Sequence, residues 1–109
     1  MVKFMILFHK PTDLARFEDS YNRFLALIEQ MPDVTRRQVI SILGSPLGTP
    51  TIYRILEVYF GDYDALTAAL RSSAGQAAGA ELNQFPKGTF DMLFAEVYEE
   101  VGGSTPTTE

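Results

Sequence analysis

Few side chains in this 109-residue chain can do acid–base or nucleophilic chemistry. It has no cysteine and one histidine, His9, so thiol nucleophiles, disulfides and thiolate metal sites are excluded. A zinc site could draw only on carboxylates plus His9, and no metal is expected. His9 ends the apolar run KFMILFH, just before Lys10-Pro11. It reads either as a base at a pocket mouth or, more plainly, as a half-exposed residue where a strand meets a turn. Lys10 and Asp13 are the other ionisable residues of that turn, and the sequence places neither to orient an imidazole.

The second acid–base candidate is Glu57, in the run TIYRILEVYF. Desolvation disfavours a charged carboxylate and so suits it to proton abstraction. Buried charges are normally paired, however, and the plainer reading is an ion pair with Arg37 or Arg54. Tyr53, Glu57 and Tyr59 alternate along one face of an extended segment, which would make Tyr53 a hydrogen-bond donor near Glu57. Arg37 and Gln38, with Arg36, could hold an anionic or carbonyl-bearing ligand, or simply be the solvated start of a strand. Tyr21, Phe24, Phe90 and Phe94 could line an aromatic pocket, although aromatic residues at helical or strand spacing are usually core. GSPLGTP has no lysine and no helix-opening glycine pattern, so it is not read as a phosphate loop.

The elements that must position these residues are legible from periodicity. Residues 2–9 form an apolar run without polar alternates, predicting a strand buried on both faces. In TDLARFEDSYNRFLALIEQMPD, Leu14, Phe17, Tyr21, Phe24, Leu25, Ile28 and Met31 recur at helical spacing. Thr12 or Asp13 is the expected cap and Pro32 the expected stop. RRQVISIL and TIYRILEVYF read as two strands of a hairpin joined by GSPLGTP. From Asp62 to about Phe85 the pattern is helical, with a break at Ser72-Ser73, where Ser73 and Gln76 spell a capping box. GTFDMLFAEVYEE gives a last strand. One domain over residues 1–101 is expected, followed by a disordered tail at 102–109.

The order β-α-β-β-α-β predicts an α+β, ferredoxin-like fold, with one antiparallel four-stranded sheet and the helices on one face. Helices on one face cannot cover both apolar sides of the first strand, Phe4, Ile6 and Phe8 on one and Met5 and Leu7 on the other. The last strand repeats the problem, with Phe90, Met92 and Phe94 opposing Leu93, Ala95 and Val97. An exposed apolar sheet face marks an interface, so a homodimer packed sheet to sheet is expected. A net charge of −5 repels phosphate backbones, so no nucleic acid partner is expected. The same topology serves RNA recognition, but YRILEVYF lacks that module's basic-glycine-aromatic spelling. No apolar stretch approaches the ~20 residues of a membrane span, which with the absence of a cleavage site predicts a cytoplasmic protein without a membrane partner.

FHKPTD, EQMPD, GSP, YRILEVYFGDYDALTAALRSSAGQAAGAELNQF and MLFAEVYE together resemble the EthD family of the dimeric α+β barrel superfamily, over about residues 2–98. The most specific part is the third strand running into DALTAALRSSAGQAAGAELNQF. The resemblance implies a cofactor-free homodimer with a pocket in each subunit between sheet and helices. Relatives in the superfamily include cofactor-independent monooxygenases, isomerases and dehalogenating or decarboxylating enzymes, so membership does not select a chemistry. Typical members carry a histidine late in the first helix; here Phe24 or Leu25 stands at that position and Ala26 or Leu27 replaces a following proline. The expected protein binds a small hydrophobic or aromatic molecule, with proton transfer or oxygenation through Glu57 and His9 if it is an enzyme. The rival is a non-catalytic binding or accessory protein of a degradation pathway.

Overall fold

Strict alternation along β1 (Val2–His9) buries Phe4, Ile6 and Phe8 and leaves Lys3, Met5 and Leu7 half-buried on the other side. The computed structural model describes residues 1–100; the tail expected at 102–109 lies outside the described residues. After β1 come α1 (Leu14–Ile28), β2 (Arg36–Ser41), β3 (Ile52–Phe60), α2 (Tyr63–Arg71), α3 (Ser73–Leu82) and β4 (Phe90–Glu96). The strands form one antiparallel sheet in the order β2-β3-β1-β4. This is the ferredoxin-like βαββαβ fold.

Register decides which side chains share a face. Ile6 lies opposite Leu56 and Met92, and Phe4 opposite Val58 and Phe94, so the even-numbered positions of the two central strands form the surface on which the helices pack. The core joins Phe4, Ile6, Phe8, Leu56, Val58 and Phe60 to Phe17, Tyr21, Phe24 and Ile28 of α1, and to Leu66, Ala69, Ala78 and Leu82 of α2 and α3. The opposite face carries no helix.

The helix ends differ in detail from the sequence reading. Asp13 caps α1, its carboxylate accepting from Arg16 N at 3.1 Å. The α-helix stops at Ile28, four residues before Pro32, because the last turn tightens into three-residue bonds, Leu27 O accepting from Gln30 N and Ile28 O from Met31 N. The chain then reverses at Asp33, which adopts a left-handed φ of 63°, a conformation aspartate tolerates. Between α2 and α3 the cap is Ser72, one residue before the expected Ser73; its hydroxyl accepts from Gly75 N. Gln76, expected to close a capping box, instead donates its amide to Arg71 O. β2 ends at Ser41 rather than Leu43, and β4 at Glu96 rather than Glu100.

The α2–α3 elbow requires a glycine at one position only. A Cβ on Gly75 would collide with Ala69 O and lie 2.6 Å from Leu70 O, whereas one on Gly79 meets nothing. Gly75→Ala is therefore expected to destabilise the fold by about 2 kcal/mol or more through overpacking against backbone. Gly79→Ala, in the interior of α3, should stabilise it by roughly 0.5–1 kcal/mol through reduced chain entropy. Urea denaturation of the two variants checks the contrast, and equal effects would contradict this elbow geometry.

Candidate functional site

Between sheet and helices lies a cavity of about 470 Å³. Phe4 forms its floor from β1, Phe24 and Ile28 line it from α1, Met31 from the turn after α1, Leu82 from α3, and Met92 and Phe94 from β4. These side chains converge because α1 presents residues 24 and 28 to the sheet at helical spacing, the tightened turn after it adds residue 31, and β4 presents 92 and 94 at a period of two. Met92 and Phe94 remain about half exposed, at 52% and 51%, since no helix extends over the edge strand. The one polar side chain in the lining is Gln76, and no ionisable group reaches it.

Glu57 lies on the opposite, helix-free face. It is 6% exposed, and Lys3 Nζ sits 3.1 Å from its Oε2. The Tyr59 hydroxyl lies 2.9 Å from Glu57 Oε1 and 3.0 Å from Gln38 Oε1. The Tyr59 ring is in turn covered by two cations, Arg36 at 4.4 Å and Lys3 at 5.5 Å. The carboxylate is therefore paired, but not with the arginines expected. Arg54 is three positions from Glu57 and so faces the helices; Arg37 pairs in register with Val58 rather than Glu57 and reaches Glu29 at 3.6 Å.

Tyr53 does not share a face with Glu57, which corrects the simple alternation expected along β3. The β1–β3 register jumps from Phe8–Arg54 to His9–Ile52, leaving Tyr53 as the extra residue of a bulge. Tyr53 and Arg54 therefore both reach α1. Tyr53 packs edge-on to Phe17 at 5.6 Å, and Arg54 makes a fork on Glu18 with bonds of 2.7 and 2.9 Å. Hydrogen bonding from Arg54 holds the Glu18 carboxyl below its ordinary range. Tyr21 is fully buried with its hydroxyl unpartnered among the described residues, and burial pushes its phenol up.

His9 Nε2 donates to Asp91 Oδ2 at 2.9 Å across the sheet, a partner 82 positions away that sequence reasoning missed. Lys3 was missed for the same reason: both partners follow from strand register and from nothing local. Of the expected site residues, the structure gathers Phe24 into the cavity and Tyr21 and Phe90 into the core beside it. Gln38 and Glu57 stay together on the other face. Among the described residues, no three carboxylate or imidazole groups converge closely enough to hold a metal ion.

An antiparallel ferredoxin-like sheet with an apolar sheet–helix cavity and one uncovered face defines a class of small α+β domains, and comparison with known proteins narrows it. No family model matches the chain. It is 30% identical over 100 residues to an uncharacterised 11.0 kDa protein from the thcB–thcC intergenic region of Rhodococcus erythropolis, covering 88% of this chain and 94% of that one. The crystal structure of an ethyl tert-butyl ether D (EthD) family protein from Bacillus halodurans C-125 superposes with a TM-score of 0.84 at 29% identity, over 90% of this chain and 99% of that one. The chain belongs to the EthD family.

Two more distant structures share the fold. One is SnoaB, a cofactor-independent oxygenase from Streptomyces nogalater, with TM-score 0.68 and 17% identity over 94% of this chain and 97% of that one. The other is a dimeric ferredoxin-like protein of unknown function from Jannaschia sp. CCS1, with TM-score 0.70 and 16% identity over 88% of this chain and 98% of that one.

Two charge pairs can be tested directly. Lys3→Met leaves the Glu57 carboxylate buried and unpaired and is expected to cost about 2–4 kcal/mol. Lys3→Met combined with Glu57→Gln should recover part of that loss, a non-additivity that denaturant titration of the double-mutant cycle will read. Glu18 has a folded pKa below its unfolded one, so its pairing contributes stability above the ordinary glutamate value of about 4.3 and loses it as pH falls through the folded value. Glu18→Gln should accordingly be less stable than the parent at neutral pH, with the two stabilities converging in acid.

Proposed function

We propose that this EthD-family chain binds a small hydrophobic or aromatic molecule in the sheet–helix cavity and holds it without turnover. One observation carries the reading: the cavity is roomy and lined by aromatic and aliphatic side chains, with Gln76 as its one hydrogen-bonding side chain. Such linings give affinity by apolar burial and leave a single polar contact to orient a carbonyl or hydroxyl. Proton transfer needs a titratable group within hydrogen-bond reach of the bound molecule, and Glu57 faces the other side of the sheet. Where the family resemblance puts a histidine, Phe24 or Leu25 stands, and Phe24 lines the cavity.

The second part of the proposal is a homodimer through the helix-free face. Leu93 is half exposed there beside Met5 and Leu7, and a dimeric ferredoxin-like protein shares this fold. In that arrangement the Lys3–Glu57–Tyr59–Gln38 network becomes a polar centre within the interface, where satisfied buried polar groups fix how two copies align. Glu57 and His9 are then interface residues rather than acid–base catalysts. No helix among the described residues is long and apolar enough to cross a membrane.

Toluene serves as the apolar probe. A ligand that binds only the folded state raises the melting temperature with its concentration, and toluene is expected to do so saturably. Met92→Trp, which fills the half-exposed rim without touching the deeper core, should weaken binding about fivefold or more by occupying ligand volume. Glu57→Gln should leave the affinity unchanged. An unchanged affinity in Met92→Trp, or turnover of an aromatic substrate lost in Glu57→Gln, would sink the binding-only reading.

Dimerisation is tested separately by sedimentation velocity. The parent should migrate at about twice the 12.2 kDa chain mass. Leu93→Asp should shift it to the monomer, because an unpaired carboxylate in that interface loses its hydration. A parent that sediments as a monomer would overturn the dimer.

A further inference from the structure

A second cavity, of about 320 Å³, opens at the other end of α1 and shares no lining residue with the first. Its floor is the edge-to-face pair Phe17 and Phe85, ring centroids 5.8 Å apart. Pro11 lines it from the β1–α1 loop and Pro86 from the α3–β4 loop. The two loops are tied together by backbone: His9 N donates to Thr89 O at 2.9 Å, and the turn after α3 closes through Phe85 N to Leu82 O and Thr89 N to Pro86 O. The slot is thus built into the fold, on the loops that join β1 to α1 and α3 to β4.

The mouth carries its polar groups in two states. Asp13 accepts from Arg16 N as the cap of α1, His9 pairs with Asp91, and the Thr89 hydroxyl donates to Pro86 O at 2.5 Å. The Ser20 hydroxyl accepts from Arg23. The Arg16 guanidinium, by contrast, makes no ion pair or side-chain hydrogen bond among the described residues, and nor does the Gln84 amide beside it. An aromatic floor with an unengaged guanidinium on its lip matches a flat apolar body ending in a carboxylate. The ring would pack against Phe17 and Phe85, and the two carboxylate oxygens would meet the planar fork of Arg16.

We propose that this second cavity is a binding site for small aromatic monocarboxylates, with Phe17 and Phe85 taking the ring and Arg16 the carboxylate. It is independent of the apolar molecule in the sheet–helix cavity, and the two sites stand or fall separately. The side chain that discriminates is on the exposed first turn of α1, so replacing it leaves the core intact.

The test follows amide chemical shifts of the full chain, labelled with nitrogen-15, during titration with sodium benzoate and, separately, with benzyl alcohol, its neutral analogue. Benzoate is expected to give saturable shifts at Thr12, Arg16, Gln84 and Thr89. Its affinity there should exceed that of benzyl alcohol by about tenfold, the effect of a charge-assisted pair. Arg16→Gln should abolish the preference, and Arg16→Lys, which keeps the charge without the fork, should retain part of it. Benzoate shifts that do not saturate, that appear only around the sheet–helix cavity, or that keep the same preference in Arg16→Gln would overturn the proposal.

Discussion

Phe8 is the side chain on which the rest of the molecule depends. It is fully buried at the end of a central strand and packs its ring against five others, Phe17, Tyr21, Phe24, Phe85 and Phe90. One residue thereby ties β1 to three successive turns of α1, to the segment after α3 and to β4. The contacts are individually worth about 0.5–1.5 kcal/mol beyond burial, but their consequence is positional. Phe24 faces the sheet–helix cavity and Phe17 and Phe85 form the floor of the second, so this aromatic cluster is also the wall between the two cavities.

The sheet sorts chemistry by face. Its helix-covered side is apolar except where Arg54 forks on Glu18 and Arg37 reaches Glu29. Its uncovered side holds the paired groups Lys3, Glu57, Tyr59 and Gln38, with His9 and Asp91 at the end of the strand. Removing water from a carboxylate is costly unless hydrogen bonds and an opposite charge replace it. Glu57 has both, from Tyr59 and Lys3, which explains how it tolerates burial. The sheet–helix cavity thus lacks acid–base groups, and Glu57 with its partners lies on the other face.

Membership of the EthD family accounts for the architecture and leaves the chemistry open. Where the resemblance puts a histidine, Phe24 or Leu25 stands, and Phe24 lines the sheet–helix cavity. A fold of this kind can keep its cavity while losing its reaction, because the cavity is made by packing and the reaction by one or two side chains.

Local pattern in the sequence was enough for the element order, the helix-facing stripe of α1, the break between α2 and α3, and the doubling of apolar residues on β1 and β4. Each of these arises from neighbours a few positions apart, through the periods of helix and strand and the rigidity of prolines. The pairings of Glu57 with Lys3 and of His9 with Asp91 were not legible, since they join residues that only strand register brings together. The placement of Tyr53 beside α1 rather than beside Glu57 was hidden too. A single extra residue in the β1–β3 ladder inverts the side to which Tyr53 points, and whether a strand bulges is settled by the partner strand and the helix packed on it. The sequence by itself therefore determined which residues could carry chemistry and which elements hold them. Only the tertiary structure decided which face each one occupies, because a face is a property of paired strands and not of one.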